Sequence, residues 1–118
     1  MHEFSVASAI VDTVVRHAEG RPVSVVTVRC GQLRQVVPDS LDFAFGIVSR
    51  ETVCEGARLE QEVVPARLSC ASCGEEWEIS LPIFRCLTCD TTDVQVVAGE
   101  ELEVDTIEVS EEEAPCIA

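Results

Sequence analysis

The chain has 118 residues with 22 carboxylates against eight basic side chains, all arginine, for a formal net charge of −14. A surface of that sign repels phosphate backbones and argues against a nucleic-acid role. The length suffices for one ordinary core plus one stapled module, and is short for two typical domains. No run of about 18 apolar residues occurs, and Glu3, Asp12, Arg16 and Glu19 interrupt the first segment, so a soluble cytoplasmic protein without a secretory signal is expected.

Phe4, Ala7, Ile10, Val11, Val14, Val15 and Ala18 recur at three- and four-residue steps, predicting an amphipathic helix over residues 3–19. Gly20 suits its left-handed cap and Pro22 prevents continuation. Residues 23–32, dense in valine, read as a strand ending near Gly31. Val37-Pro38-Asp39-Ser40 opens a second helix with Leu41, Ala44, Phe45 and Val48 on one stripe, widened by Phe43 and Ile47, and the chain leaves it near Thr52. Gly46 inside that helix costs it about 1 kcal/mol. From Ala57 to Val64, Leu59 and Val63 alternate with charged residues, which predicts a strand bounded by Pro65. The last strand, Glu101 to Val109, shifts its alternation near Asp105 and Thr106, as a bulge would.

Two Cys-x-x-Cys pairs, Cys70/Cys73 and Cys86/Cys89, stand twelve residues apart. Four thiolates gathered by two tight turns make a closed tetrahedral site of the kind that holds structural zinc. Gly74 after the first pair suits the left-handed position of such a knuckle, and Asp90 occupies the equivalent place after the second. Trp77, Ile79, Leu81, Ile83 and Phe84 supply apolar cover for a module that metal binding would have to stabilise. Neither pair opens a helical pattern, which disfavours a dithiol redox site. Of the remaining cysteines, Cys30 and Cys54 read as buried small side chains, and Cys116 falls one place short of a prenylation motif.

The predicted fold is α+β. Residues 1–65 and 97–110 make one domain of two helices packed on a three-stranded sheet, residues 66–96 are an inserted zinc-ribbon-like module, and 111–118 are a flexible acidic tail.

Only two histidines occur, His2 and His17. A free α-amine, the deprotonated amide and imidazole of His2, and one more nitrogen such as the Glu3 amide can surround a metal in one plane, an arrangement suited to Ni(II) or Cu(II). His17, in the last helical turn, reads as a surface residue favoured by the helix dipole. With no further histidine there is no His-Glu-x-x-His site and no evident nucleophile–base pair, so no catalytic residue and no organic cofactor is expected.

Read together, Met1-His2-Glu3-Phe4-Ser5, Cys30-Gly31-Gln32-Leu33, Val37-Pro38-Asp39-Ser40-Leu41-Asp42-Phe43-Ala44-Phe45, Glu55-Gly56-Ala57-Arg58-Leu59 and the paired knuckles resemble the HypA family of hydrogenase nickel-incorporation proteins, over residues 1 to about 109. The resemblance implies a nickel metallochaperone that works with the GTPase HypB, delivers Ni(II) to the [NiFe]-hydrogenase large subunit and, in some organisms, serves urease maturation. It implies nickel on Met1 (amine), His2 (side chain and amide) and Glu3 (amide), and structural zinc on Cys70, Cys73, Cys86 and Cys89. Asp90 and the tail with Cys116 depart from the family pattern. The competing reading is a zinc-ribbon adaptor that recruits a protein partner and never transfers nickel.

Overall fold

The computed structural model describes residues 2–81 and 83–110, so the acidic tail 111–118 with Cys116, and Met1, lie outside the described residues. Backbone packing separates two compact units, residues 2–29, 36–62 and 103–110 in one and 30–35 and 63–102 in the other.

In the first unit, α1 (Glu3–Ala18) buries Val6, Ala7, Ile10, Val11, Val14 and Ala18, the stripe that its periodicity requires. Phe4 and Val15, expected on that stripe, are 47% and 41% exposed because they flank it rather than centre it. The helix ends with Glu19 and Gly20 both left-handed, and the freed carbonyl of Ala18 accepts from the backbone N–H and Nε of Arg21. The second helix, α2 (Pro38–Val48), starts where Pro38 supplies a preset φ and Asp39 faces the positive end of the dipole, and it packs against α1. Leu41, Ala44 and Phe45 are buried, each larger side chain contributing about 1.5–3 kcal/mol. Phe43, expected to widen the buried stripe, is instead 67% exposed, and the helix stops earlier than Thr52.

Strands β1 (Val23–Gly31), β2 (Arg58–Val64) and β6 (Leu102–Val109) form a three-stranded sheet in the order β2-β1-β6. The middle strand carries Val23, Val25, Val26 and Val28 into the core. Along β2 the expected alternation of Leu59 with Val63 fails: Val64 is buried and Val63 is 55% exposed, the inward parity switching as the chain nears Pro65. Along β6 the half-buried positions are Leu102 and Val104, then Ile107 and Val109, so the parity shift near Asp105 is present. Cys30 and Cys54 are buried, and burial pushes both thiols up, leaving them protonated and inert.

The second unit holds a second sheet that the sequence reading did not foresee, β4-β3-β5, built from β3 (Ala66–Cys70), β4 (Glu76–Ile79) and β5 (Val94–Ala98), all antiparallel. The small core here is Ala66, Leu68 and the sulfurs of Cys70 and Cys86, whereas the expected cover residues Leu81, Ile83 and Phe84 are 62%, 54% and 41% exposed. Residues 30–35 are bound into this unit. Leu33 N–H donates to Gly99 O, Ala66 N–H to the Gln32 side chain, and Arg34 Nε to Glu100 O. A Cβ on Gly31 would overlap the Gly99 carbonyl, and one on Gly99, at φ +113°, would sit 2.6 Å from Ala66 Cα. Only glycine permits that crossing.

Candidate metal centre

The two Cys-x-x-Cys segments fold into the same knuckle. In the first, Cys70 N–H donates to Glu75 O and Gly74 N–H to Cys70 O; in the second, Cys86 N–H donates to Thr91 O and Asp90 N–H to Cys86 O. The turn back requires a left-handed residue after the second cysteine of each pair, and Gly74 (φ +78°) and Asp90 (φ +59°) both adopt it. Asp90 also meets Arg85 at 3.4 Å on the surface. The first knuckle is anchored to β5, since Ala71 N–H donates to Asp93 O and Cys70 lies opposite Val94.

This folding brings the four sulfurs within 4.8 Å of one another, with Cys70–Cys89 at 3.4 Å and Cys73–Cys86 at 3.7 Å. Four sulfurs about 2.3 Å from one zinc stand about 3.8 Å apart at the tetrahedral angle, so the cluster has the size that a zinc ion needs. Cys70 and Cys86 are buried while Cys73 and Cys89 are exposed, so the cluster has an inner and an outer pair. Without a cation the sulfurs cannot all ionise. The Cys73 N–H directed at its sulfur (3.4 Å) lowers Cys70 to about 7, and Cys70 beside it pushes Cys89 up to about 12. A divalent cation removes that conflict and displaces the protons. Among the described residues, this is the group of His, Cys, Asp or Glu donors that converges as a metal site.

The amino-terminal candidates are arranged differently. His2 is the exposed N-cap of α1, and its side chain makes no capping bond. Its carbonyl accepts from Val6 N–H at 3.0 Å and Ser5 Oγ at 2.9 Å. Glu3 is only 7% exposed, and its carboxylate accepts the N–H of Val37, the N-cap of α2, at 3.1 Å. Beside it a groove of about 420 Å³ is lined by Glu3, Phe4, Asp39, Ser40 and Phe43. The sequence reading did not place Asp39 or Phe43 near this terminus. The usable signal was the Pro-Asp-Ser start of the second helix, whose first turn had to face something. His17 is exposed, with Nδ1 at 2.8 Å from Thr13 O, as its surface reading requires. No described helix is long and apolar enough to cross a membrane.

Comparison with known proteins agrees with this architecture. Residues 1–109 match the family model described as hydrogenase/urease nickel incorporation, metallochaperone, hypA. A hydrogenase maturation factor HypA from Geobacter metallireducens is 42% identical over 109 residues, spanning 92% of this chain and 99% of that protein. Another from Nostoc punctiforme is 37% identical over 111 residues, spanning 94% and 97%. A HypA solution structure superposes with a TM-score of 0.70 at 25% identity, covering 95% of this chain and 98% of the other. The nickel metallochaperone HypA from Helicobacter pylori superposes at 0.69, with 24% identity and coverage of 92% and 97%, a likeness of fold. The two-helix α+β fold is thus shared with solved HypA structures, and the chain belongs to the HypA family of hydrogenase/urease nickel-incorporation proteins, which are metallochaperones rather than enzymes.

Proposed function

We propose that this chain binds Ni(II) at its amino terminus, through the Met1 amine, the His2 amide and imidazole and the Glu3 amide, and delivers it during [NiFe]-hydrogenase maturation. Cys70, Cys73, Cys86 and Cys89 hold a structural Zn(II) that stays with the protein. On this reading residues 1–65 and 97–110 carry the nickel and 66–96 the zinc, with residues 30–35, 63–65 and 97–102 packing in the same compact unit as the zinc module. A HypB-type GTPase and the hydrogenase large subunit are the partners, urease maturation proteins a further set, and the cytoplasm the place of work.

The observation that carries the reading is the state of His2. Its imidazole is exposed and unused by the helix, while its carbonyl is fixed twice and the adjoining Glu3 carboxylate is tied to Val37. A ligand presented on a fixed base can take and release a cation without refolding the chain. The planar nitrogen set suits Ni(II) and suits Zn(II) poorly, and the four-sulfur set has the opposite preference.

The test is titration of untagged protein with Ni(II) beside His2→Ala. One nickel per wild-type chain is expected, weakened on the order of a hundredfold in the variant, or about 2.7 kcal/mol, with one zinc retained in both. Equal nickel affinity in the two proteins would overturn the assignment.

A further inference from the structure

In the second unit, Trp77, Glu78 and Ile79 are consecutive residues of β4, so their side chains alternate between the two faces of the sheet. All three nevertheless line one groove of about 190 Å³, together with Leu81, Ile83 and Leu87 and with Ser80 and the Asp90-paired Arg85. A groove that meets both faces of a strand in succession lies along its edge. The sheet order β4-β3-β5 puts β4 outermost, and among the described residues no turn or loop backbone group bonds to Trp77, Glu78 or Ile79. An outer row of strand N–H and C=O groups therefore faces an apolar trough, which is a template for one more strand. Leu81, Ile83 and Leu87 are 62%, 54% and 85% exposed, a contiguous apolar group rather than scattered ones.

Charge decides what fits. Arg67 is already shared between Glu76 at 3.4 Å and Glu78 at 3.6 Å, and Arg85 is paired with Asp90. Both arginines of the module are thus engaged, while Glu75 and Asp93 add further negative charge. A second copy pairing through the same edge would set Glu76 and Glu78 against their own equivalents, in a chain of net charge −14. We infer that the β4 edge is a docking site for an extended segment of a partner protein in which apolar residues alternate with basic ones. The segment adds to the sheet as a fourth strand, its apolar side chains entering the groove and its basic ones meeting Glu76 and Glu78. The surface does not depend on nickel.

Trp77 is the only tryptophan of the chain, so its emission reports the groove directly. Zinc-loaded full-length protein is titrated with a synthetic peptide of alternating valine and lysine, roughly ten residues long to span the strand with overhang, and with its valine–glutamate counterpart. A saturable change in Trp77 emission, with slowed hydrogen exchange of the β4 amides, is expected from the lysine peptide alone. Ile83→Asp, a change at an exposed position, should keep zinc and weaken that binding by about tenfold or more. His2→Ala should leave it unchanged, so failure of the nickel assignment would be seen separately. Equal response to both peptides, no saturation at millimolar peptide, or a concentration-dependent dimer abolished by Ile83→Asp would each overturn the proposal.

Discussion

The four-sulfur centre and the amino terminus are both candidate metal sites, yet the chain supports them in opposite ways. At the sulfurs the backbone turns back twice with the same hydrogen bonds, and two of the four ligand atoms are buried. At the terminus one exposed imidazole stands on a fixed carbonyl, with a neighbouring carboxylate tied to the next helix. A closed shell of thiolates has no position for an incoming ligand and so retains its ion, whereas a ligand at a chain end can be approached from several sides. The difference teaches that donor number is a poor guide to which metal moves. The support around the donors is the better one.

The largest blow to this contrast comes from Cys70→Ser. It removes a buried ligand from a site whose metal contributes about 10–16 kcal/mol in comparable peptides, so zinc should be lost and the amides of β3, β4 and β5 should exchange freely. Metal analysis and hydrogen exchange read both, and nickel binding should survive. Protected β3 amides in a zinc-free variant would break the idea of the metal as a brace. A middling effect is expected from Glu3→Ala, which removes the carboxylate acceptor of the Val37 N–H and should lower the urea-unfolding midpoint, with Glu3→Gln losing less because it keeps an acceptor. An unchanged midpoint for Glu3→Ala would mean that the terminus is not held as the structure has it. The smallest effect belongs to Asp90→Gly. Relief of the left-handed conformation should stabilise by up to about 1 kcal/mol, set against an exposed Arg85 pair worth about 0–1 kcal/mol. Gly74→Asp should move the melting temperature the other way, and a matching sign for the two variants would end the equivalence of the knuckles.

Much of this was legible in the residues. The helix periods gave α1 and α2 within a few residues, the valine-rich run gave β1, and the Cys-x-x-Cys spacing with Gly74 and Asp90 foretold two knuckles with a left-handed residue in each. The second sheet was not legible because β4 spans only Glu76–Ile79, too short for alternation to stand out. Phe43 misled because an apolar residue at the border of a helical stripe carries no mark of which side it will take. Its place beside Asp39 and Glu3 depends on the meeting of α1 with α2, a contact between distant parts of the chain. Likewise nothing in Gln32 announces that its side chain will hold the N–H of Ala66, 34 positions away.

The crossing of Gly31 and Gly99 bears on protein engineering. A designer who wished to transplant the zinc module onto another scaffold would naturally take the continuous run of residues 63–102. Such a graft would leave behind Leu33, Gln32 and Arg34, and with them the partners of Gly99 O, Ala66 N–H and Glu100 O. The portable cassette is discontinuous: it must carry residues 30–35 as a separate strip, and both glycines of the crossing, Gly31 and Gly99, must travel with it unchanged.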